Sequence, residues 1–120
     1  MNLKRILIVN IQTLLMGGTE ILLRNNGNLA VVSIYPEDLP TLILEIEHRQ
    51  PDVIIMDEAT YFVEPVHLLA SLSNIPNVRL IILNNREVLV SIYEKYERAI
   101  SHPSQLMDVI ELNHSVVKTD

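Results

Sequence analysis

Short apolar runs alternate with helix-like segments along this chain, and that alternation restricts its fold more than any other feature. Four runs rich in Ile, Leu and Val predict buried strands, and they lie at Lys4–Asn10, Leu29–Ile34, Asp52–Met56 and Asn77–Leu83. The segments between the runs carry apolar residues at helical spacing. Strands that alternate with helices in this way predict an α/β fold with a parallel, doubly wound sheet.

Three helices are predicted between these strands. The first lies within residues 11–26 and has its apolar positions at Leu14, Leu15, Ile21, Leu22 and Leu23. Gly17 and Gly18 weaken this helix, and close packing against the sheet would explain both glycines. The second helix follows Pro36, a residue that favours the first turn, and the third covers Val63–Leu72.

The segment from Asn84 to Ser101 is too short for a full helix, two loops and a strand, and two interpretations of it stay open. In the first, Arg86–Tyr96 is a short helix. In the second, Asn84-Asn85 forms a turn and Val88–Tyr93 returns as an antiparallel strand, which its β-branched and aromatic residues favour. Both interpretations place a last strand at Glu97–Ser101, followed by a final helix.

Length and composition predict one soluble domain with an aliphatic core. The 120 residues suffice for a single core, and we assign residues 1–113 to the domain and residues 114–120 to a flexible C-terminal tail. Hydrophobic residues make up 48% of the chain and aromatic residues 4%. The net charge of −6 argues against nucleic-acid partners, whose phosphates attract clustered Lys and Arg. The chain has no cysteine, no signal-peptide pattern and no apolar segment of the roughly 18–20 residues that cross a membrane, so we expect a cytoplasmic protein.

One carboxylate lies where chemistry is expected in such a sheet. The apolar run that begins after Pro51 ends abruptly in Asp57 and Glu58. Ligands of open α/β sheets bind beyond the carboxyl ends of the strands, so Asp57 is the first candidate for a functional side chain. The alternative is a structural role, in which Asp57 accepts hydrogen bonds from backbone N–H groups of the loop that follows.

Three segments of the chain resemble the receiver domain of two-component response regulators, and the resemblance covers about residues 4–112. Lys4–Val9 is similar to the first strand of that family, Pro51–Asp57 to its third strand, and Ile100-Ser101-His102-Pro103 to its Lys-Pro turn. The resemblance implies a three-layer α/β sandwich with a parallel five-strand sheet in the flavodoxin-like order 2-1-3-4-5. It also implies that Asp57 occupies the phosphoacceptor position and that the family's fourth helix is shortened or replaced by the β-hairpin.

The positions around Asp57 depart from the family pattern. Phosphoryl transfer to a carboxylate needs Mg²⁺, and the acidic pair that helps to hold the metal in receivers is replaced here by Asn10 and Ile11. The family's hydroxyl after the fourth strand is replaced by Asn84-Asn85, and its lysine is replaced by His102. The resemblance therefore implies a degenerate receiver with no catalytic residue and no built metal site, in which Asp57 would hold Mg²⁺ only weakly.

Three functions follow as hypotheses. In the first, the protein is an atypical single-domain receiver that acts as a signalling interaction module without Mg²⁺-dependent phosphorylation, and it is not an enzyme. In the second, it is a working receiver that accepts a phosphoryl group on Asp57 in a two-component phosphorelay. In the third, it is a small-ligand-binding α/β domain that uses Asn10, Asp57, Asn84 and His102 at the end of the sheet.

The predicted hairpin also has a consequence for partners. An unpaired sheet edge invites pairing with another chain, and Tyr35, Tyr93 and Tyr96 would add amphipathic contact area. We therefore expect a protein partner in a signalling pathway and a homodimer through the Asn84–Ser101 region.

Overall fold

Five strands and four helices follow one another in the residues that the computed structural model describes, which are 3–60, 63–84, 90–97 and 102–111. In chain order they are β1 (Lys4–Val9), α1 (Leu14–Arg24), β2 (Leu29–Ile34), α2 (Leu39–Arg49), β3 (Val53–Asp57), α3 (Pro65–Ser71), β4 (Asn77–Leu83), β5 (Val90–Tyr96) and α4 (Gln105–Ile110). No helix among these residues is both long enough and apolar enough to cross a bilayer.

The strands form one sheet in the predicted order, β2-β1-β3-β4-β5. The first four strands are parallel, but β5 runs antiparallel to β4, with Val90 opposite Leu83 and Tyr96 opposite Asn77. The sheet is therefore mixed, and the prediction of a wholly parallel sheet is wrong. The reason is the length of the connection. A parallel crossover needs a dozen or more residues, whereas only residues 84–89 separate β4 from β5.

The hairpin interpretation of this region is confirmed, and the helix at Arg86–Tyr96 is wrong, because Val90–Tyr96 is a strand. Glu97 is not part of the predicted last strand. It follows β5, and its N–H group donates to the Pro76 carbonyl at 3.0 Å. Residues 98–101, the rest of that predicted strand, lie outside the described residues, and so do Asn85 of the predicted turn and Val88 and Leu89 of the predicted hairpin strand.

Apolar side chains cover both faces of the sheet. On one face, α2 and α3 pack their buried leucines and isoleucines on β1, β3 and β4, and the centre of that layer is formed by Leu7, Leu42, Ile46, Ile54, Leu68, Leu72 and Leu80. On the other face, Met16 of α1 packs with Ile6, Ile8, Val53 and Ile55. The described sheet thus lies between helices, with an almost purely aliphatic core.

Side-chain caps determine where the first two helices begin. The Thr13 hydroxyl accepts from the Met16 N–H group at 3.2 Å, and the Asp38 carboxylate accepts from the Thr41 N–H group at 2.9 Å. Both bonds satisfy N–H groups that lack a partner within the helix. The first of these caps also fixes the loop that follows β1, next to the end of β3.

The glycines of α1 do not pack against the sheet. A Cβ atom on Gly17 or Gly18 would meet no atom of the other described elements within 4 Å. The predicted explanation, close packing on the sheet, is therefore wrong. The apolar residues of α1 also divide between two sides, since Met16 is buried while Leu14, Ile21 and Leu22 are exposed.

Candidate functional site

The carboxyl ends of β1, β3 and β4 lie side by side, and we call this edge of the sheet, formed by Asn10, Asp57 and Asn84, the crest. The strand register brings these residues together, because Val9 pairs with Met56 and Asp57 pairs with Leu83. Asn84 directly follows β4 and is half-buried, as is Ile11 in the loop after β1.

Asp57 is a buried carboxylate, with 1% of its surface exposed. Its Oδ1 atom accepts from the Ala59 N–H group at 2.8 Å, and its Oδ2 atom accepts from the Thr13 hydroxyl at 3.3 Å. The first bond is the side-chain-to-backbone bond that closes an Asx turn. Asp57 therefore shapes the loop after β3 and ties it to the start of α1.

The Asn10 side chain also forms hydrogen bonds that hold the loop after β1. Its Oδ1 atom accepts from the Gln12 N–H group at 2.6 Å, and its Nδ2 atom donates to Oε1 of Glu20 at 3.2 Å. Gln12 has a left-handed backbone with φ at 65°, so the loop makes a sharp turn at this residue. An aspartate at position 10 would lose the donor and would place its carboxylate against that of Glu20.

Glu20 is an acidic side chain next to the crest, and hydrogen bonds and an ion pair compensate its negative charge. The Ser33 hydroxyl, the Arg24 guanidinium and the Asn10 amide hold the pKa of the Glu20 carboxyl below its usual value. The Arg24–Glu20 ion pair measures 2.8 Å, and Arg24 also donates to the Val31 carbonyl at 3.0 Å. This network fastens α1 to β2 and stabilises the ionised form of Glu20.

His102 lies in the turn before α4. Its Nδ1 atom accepts from the Ser104 N–H group at 3.1 Å and lies 2.8 Å from the Ser104 hydroxyl. Its carbonyl accepts from the Gln105 N–H group at 2.9 Å. These bonds give His102 a structural role at the start of α4.

A cleft of about 250 Å³ opens beside Asp57. Its polar lining consists of the side chains of Asp57, Glu58, Thr60, Ser91 and Tyr93. The Thr60 hydroxyl is buried and has no hydrogen-bond partner in the described part of the chain. The described lining thus contributes two acidic side chains and three hydroxyl groups to the cleft.

Sequence reasoning did not identify Thr13, Glu20 or Thr60. Thr13 had a usable signal, since a hydroxyl residue directly before an apolar helix predicts a cap. Glu20 and Thr60 had none, because their neighbours at the crest come from other strands.

The outer surface of β5 is the second notable feature of the described structure. Val90, Ile92 and Tyr96 are exposed on one face of this edge strand. The charges of the strand are engaged within the chain. Glu94 pairs with Arg79 at 2.8 Å, and the Lys95 ammonium donates to the Leu72 carbonyl.

The crest residues thus organise the loops that follow β1 and β3. No group of three or more His, Cys, Asp or Glu side chains within the described ranges is placed to hold a metal ion. Comparison with known proteins adds no assignment: no protein-family model matches this chain, and no curated protein matches it.

Proposed function

We propose that this protein is an atypical, single-domain receiver-like module of the cytoplasm that signals by binding another protein. In this proposal Asp57 is not phosphorylated in a Mg²⁺-dependent reaction, and the protein is not an enzyme. The proposal rests on the burial and hydrogen bonding of Asp57. Its two carboxylate oxygens accept hydrogen bonds from the Ala59 N–H group and the Thr13 hydroxyl in a buried site.

The neighbours of Asp57 support the same conclusion. Phosphoryl transfer brings several negative oxygens together and requires a cation to neutralise them. Mg²⁺ needs six oxygen ligands in a nearly ideal octahedron. At the crest, the Asn10 oxygen already accepts from the Gln12 N–H group, and the Asn10 amide donates to Glu20. Mg²⁺ would therefore have to replace bonds that hold the loop after β1.

The edge strand β5 supports binding of a protein partner. Its outward apolar residues Val90 and Ile92 would be covered by an added strand, and a sheet edge supplies backbone donors and acceptors to such a strand. Edge strands are commonly protected by free charges. Here Glu94 and Lys95 are engaged within the chain, so they oppose pairing less. The added strand comes from a signalling partner or, in the predicted homodimer, from residues 84–101 of a second copy.

The proposal is tested by incubating the protein with acetyl phosphate and Mg²⁺ and measuring its intact mass. We expect no phosphoryl adduct, because Asp57 is shielded and Mg²⁺ has too few ligands. Asp57→Asn is the control for the site, and an established receiver domain under the same conditions is the control for the reagent. A stoichiometric adduct that disappears in Asp57→Asn would show that the protein is a working phosphoacceptor.

A further inference from the structure

A groove of about 340 Å³ opens at the end of the sheet opposite the crest, where β1 and β2 begin and α2 ends. We call it the β2 groove, and its lining includes Arg5 and Leu7 of β1, Ala30 and Val32 of β2, and His48 and Arg49 of α2. Small-molecule sites are concave, mostly apolar and of similar volume, with a few polar groups that orient the ligand. The β2 groove has both kinds of lining.

The strand register makes the floor of the β2 groove apolar. Leu7 pairs with Val32, and Arg5 pairs with Ala30, so these side chains share the face of the sheet on which Leu7 packs in the core. Leu7 is buried, whereas Val32 is 37% exposed on the edge strand. A hydrocarbon chain that lies over Ala30 and Val32 would therefore remove apolar surface from water.

Three basic side chains line the same groove from two elements. Arg5 comes from β1, whereas His48 and Arg49 come from the last turn of α2. Basic residues in the last turn of a helix stabilise its negative end, which is sufficient reason for His48 and Arg49. That reason does not apply to Arg5, which reaches the groove from the sheet. The convergence of Arg5 with the end of α2 is therefore a property of the groove and not of the helix alone.

The ion pairs of the two arginines leave N–H donors for a further anion. The Arg5 Nε atom lies 3.7 Å from Oδ2 of Asp52, and the Arg49 Nε atom lies 3.0 Å from Oε1 of Glu45. A guanidinium carries more N–H donors than a single carboxylate can accept from. Each of the four side chains is more than a third exposed, so these pairs are weak and can share their cations. Asp52 and Glu45 do not themselves line the groove.

We propose that the β2 groove binds a small organic anion that has a carboxylate head and a short hydrocarbon body. The Arg5 and Arg49 guanidinium groups donate to the carboxylate, whose planar shape matches their fork of N–H groups. The hydrocarbon body lies over Ala30 and Val32. The chain as a whole has a net charge of −6 and repels anions, so binding needs the local donors and the apolar floor together.

This site is independent of the proposed signalling function. Asp57 lies at the crest, at the other end of the strands, and β5 is the edge strand on the other side of the sheet from β2. A ligand in the β2 groove thus contacts neither the candidate phosphoacceptor nor the proposed partner surface.

Hexanoate is the probe, and its titration is followed by the NMR shifts of the backbone amides, which report both affinity and location. We expect saturable shifts that are largest at Arg5, Ala30, Val32 and Arg49, with a dissociation constant on the order of 1 mM. Hexanol has the hydrocarbon body without the charge, and acetate has the charge without the body. We expect each of these two compounds to bind at least tenfold more weakly than hexanoate.

Arg5→Gln and Lys4→Gln form a matched pair of variants. Both remove one positive charge from the exposed start of β1, but neighbouring side chains of a strand point to opposite faces, so Lys4 lies on the face away from the groove. We expect Arg5→Gln and Arg49→Gln each to weaken hexanoate binding at least fivefold and Lys4→Gln to leave it unchanged. Val32→Asp should weaken it more than Val32→Asn, which has the same shape without the repelling charge. The amide spectrum of each variant verifies its fold.

Four results would contradict this proposal. The first is no saturable binding of hexanoate at millimolar concentrations, and the second is binding of hexanol as tight as that of hexanoate. The third is an equal effect of Arg5→Gln and Lys4→Gln. The fourth comes from sedimentation with phosphatidylglycerol vesicles, which we expect not to carry the protein down. Binding to these vesicles that is lost in Arg5→Gln, without binding of free hexanoate, would assign the groove to a lipid surface. None of these results depends on Asp57 or on β5.

Discussion

Asn10 shows how a single side chain limits the chemistry of the crest. Its amide uses both of its functions, as an acceptor from Gln12 and as a donor to Glu20. A carboxylate in this place could accept but not donate, and it would stand beside the ionised carboxylate of Glu20. The amide at position 10 is therefore part of the structure of α1 and its loop.

Asn10→Asp should lower the free energy of unfolding by about 1–2 kcal/mol, because a buried donor is lost and two carboxylates face each other. Urea denaturation near neutral pH measures the change. In a Glu20→Gln background the same substitution should cost much less, because the repulsion is gone. An identical loss of stability in both backgrounds would show that Glu20 is not the cause.

For single residues, the sequence locates Asp57 as a candidate functional side chain but does not show which residues surround it. Asp57 is recognisable because an apolar run ends there. Its contact with Thr13 spans 44 positions in the chain. That contact exists only because the start of α1 folds over the end of β3, and no local pattern encodes this placement.

Among the elements, β5 was the least certain from sequence and has the largest consequence. Its β-branched and aromatic residues favour a strand over a helix, and the short connection after Leu83 makes that strand antiparallel. The strand was predicted over Val88–Tyr93, and the described strand covers Val90–Tyr96, so its second half continues beyond the predicted end. Residues 88 and 89 lie outside the described residues.

The edge prediction is tested with Ile92→Lys, which adds a charge to the exposed face of β5 and opposes strand addition. We expect cross-linking in the native cell, analysed by mass spectrometry, to show a recurrent partner linked near Lys95. That partner should be lost in Ile92→Lys and retained in Leu44→Lys, which changes an equally apolar residue away from the sheet edge. Retention of the partner in both variants would remove β5 from the binding surface.

Helix α1 shows a limit of periodicity as a guide. Leu14, Leu15, Ile21, Leu22 and Leu23 predicted the helix correctly. They did not reveal which side is buried, because apolar residues lie on two sides of this helix and only the side of Met16 and Leu23 packs on the sheet. The spacing of apolar residues predicts a helix. Which side of the helix is buried also depends on how the helix is rotated against the sheet.

The molecule as a whole is acidic, and its carboxylates contribute to stability through specific bonds. Asp38 has its pKa lowered by the hydroxyl and the N–H group of Thr41, and Glu20 has its pKa lowered by Ser33, Arg24 and Asn10. A carboxyl group with a lower pKa in the folded chain stabilises the fold above its unfolded pKa, and that contribution is lost as the pH falls.

We therefore expect the free energy of unfolding to decrease progressively below about pH 5.5, since the ordinary pKa of Glu20 is 4.5 and the bonded value is lower. Urea titrations between about pH 7 and about pH 3.5 measure the slope. Glu20→Gln should show a shallower decline. Leu44→Gln, which changes an exposed residue of α2 and removes no carboxylate, serves as the matched control and should keep the original slope. Equal slopes in the two variants would contradict this role of Glu20.

The bond between Glu97 and Pro76 places a distance limit on the rest of the chain. Pro76 lies seven residues before Leu83, so the crest stands roughly 23 Å up the sheet from this bond. The five steps from Glu97 to His102 extend at most about 18 Å, so the backbone of His102 falls short of the crest however the link is folded. A contact between His102 and the crest would therefore depend on the reach of the His102 side chain. Because β5 runs back down the sheet, the chain leaves the described sheet at the end opposite Asp57.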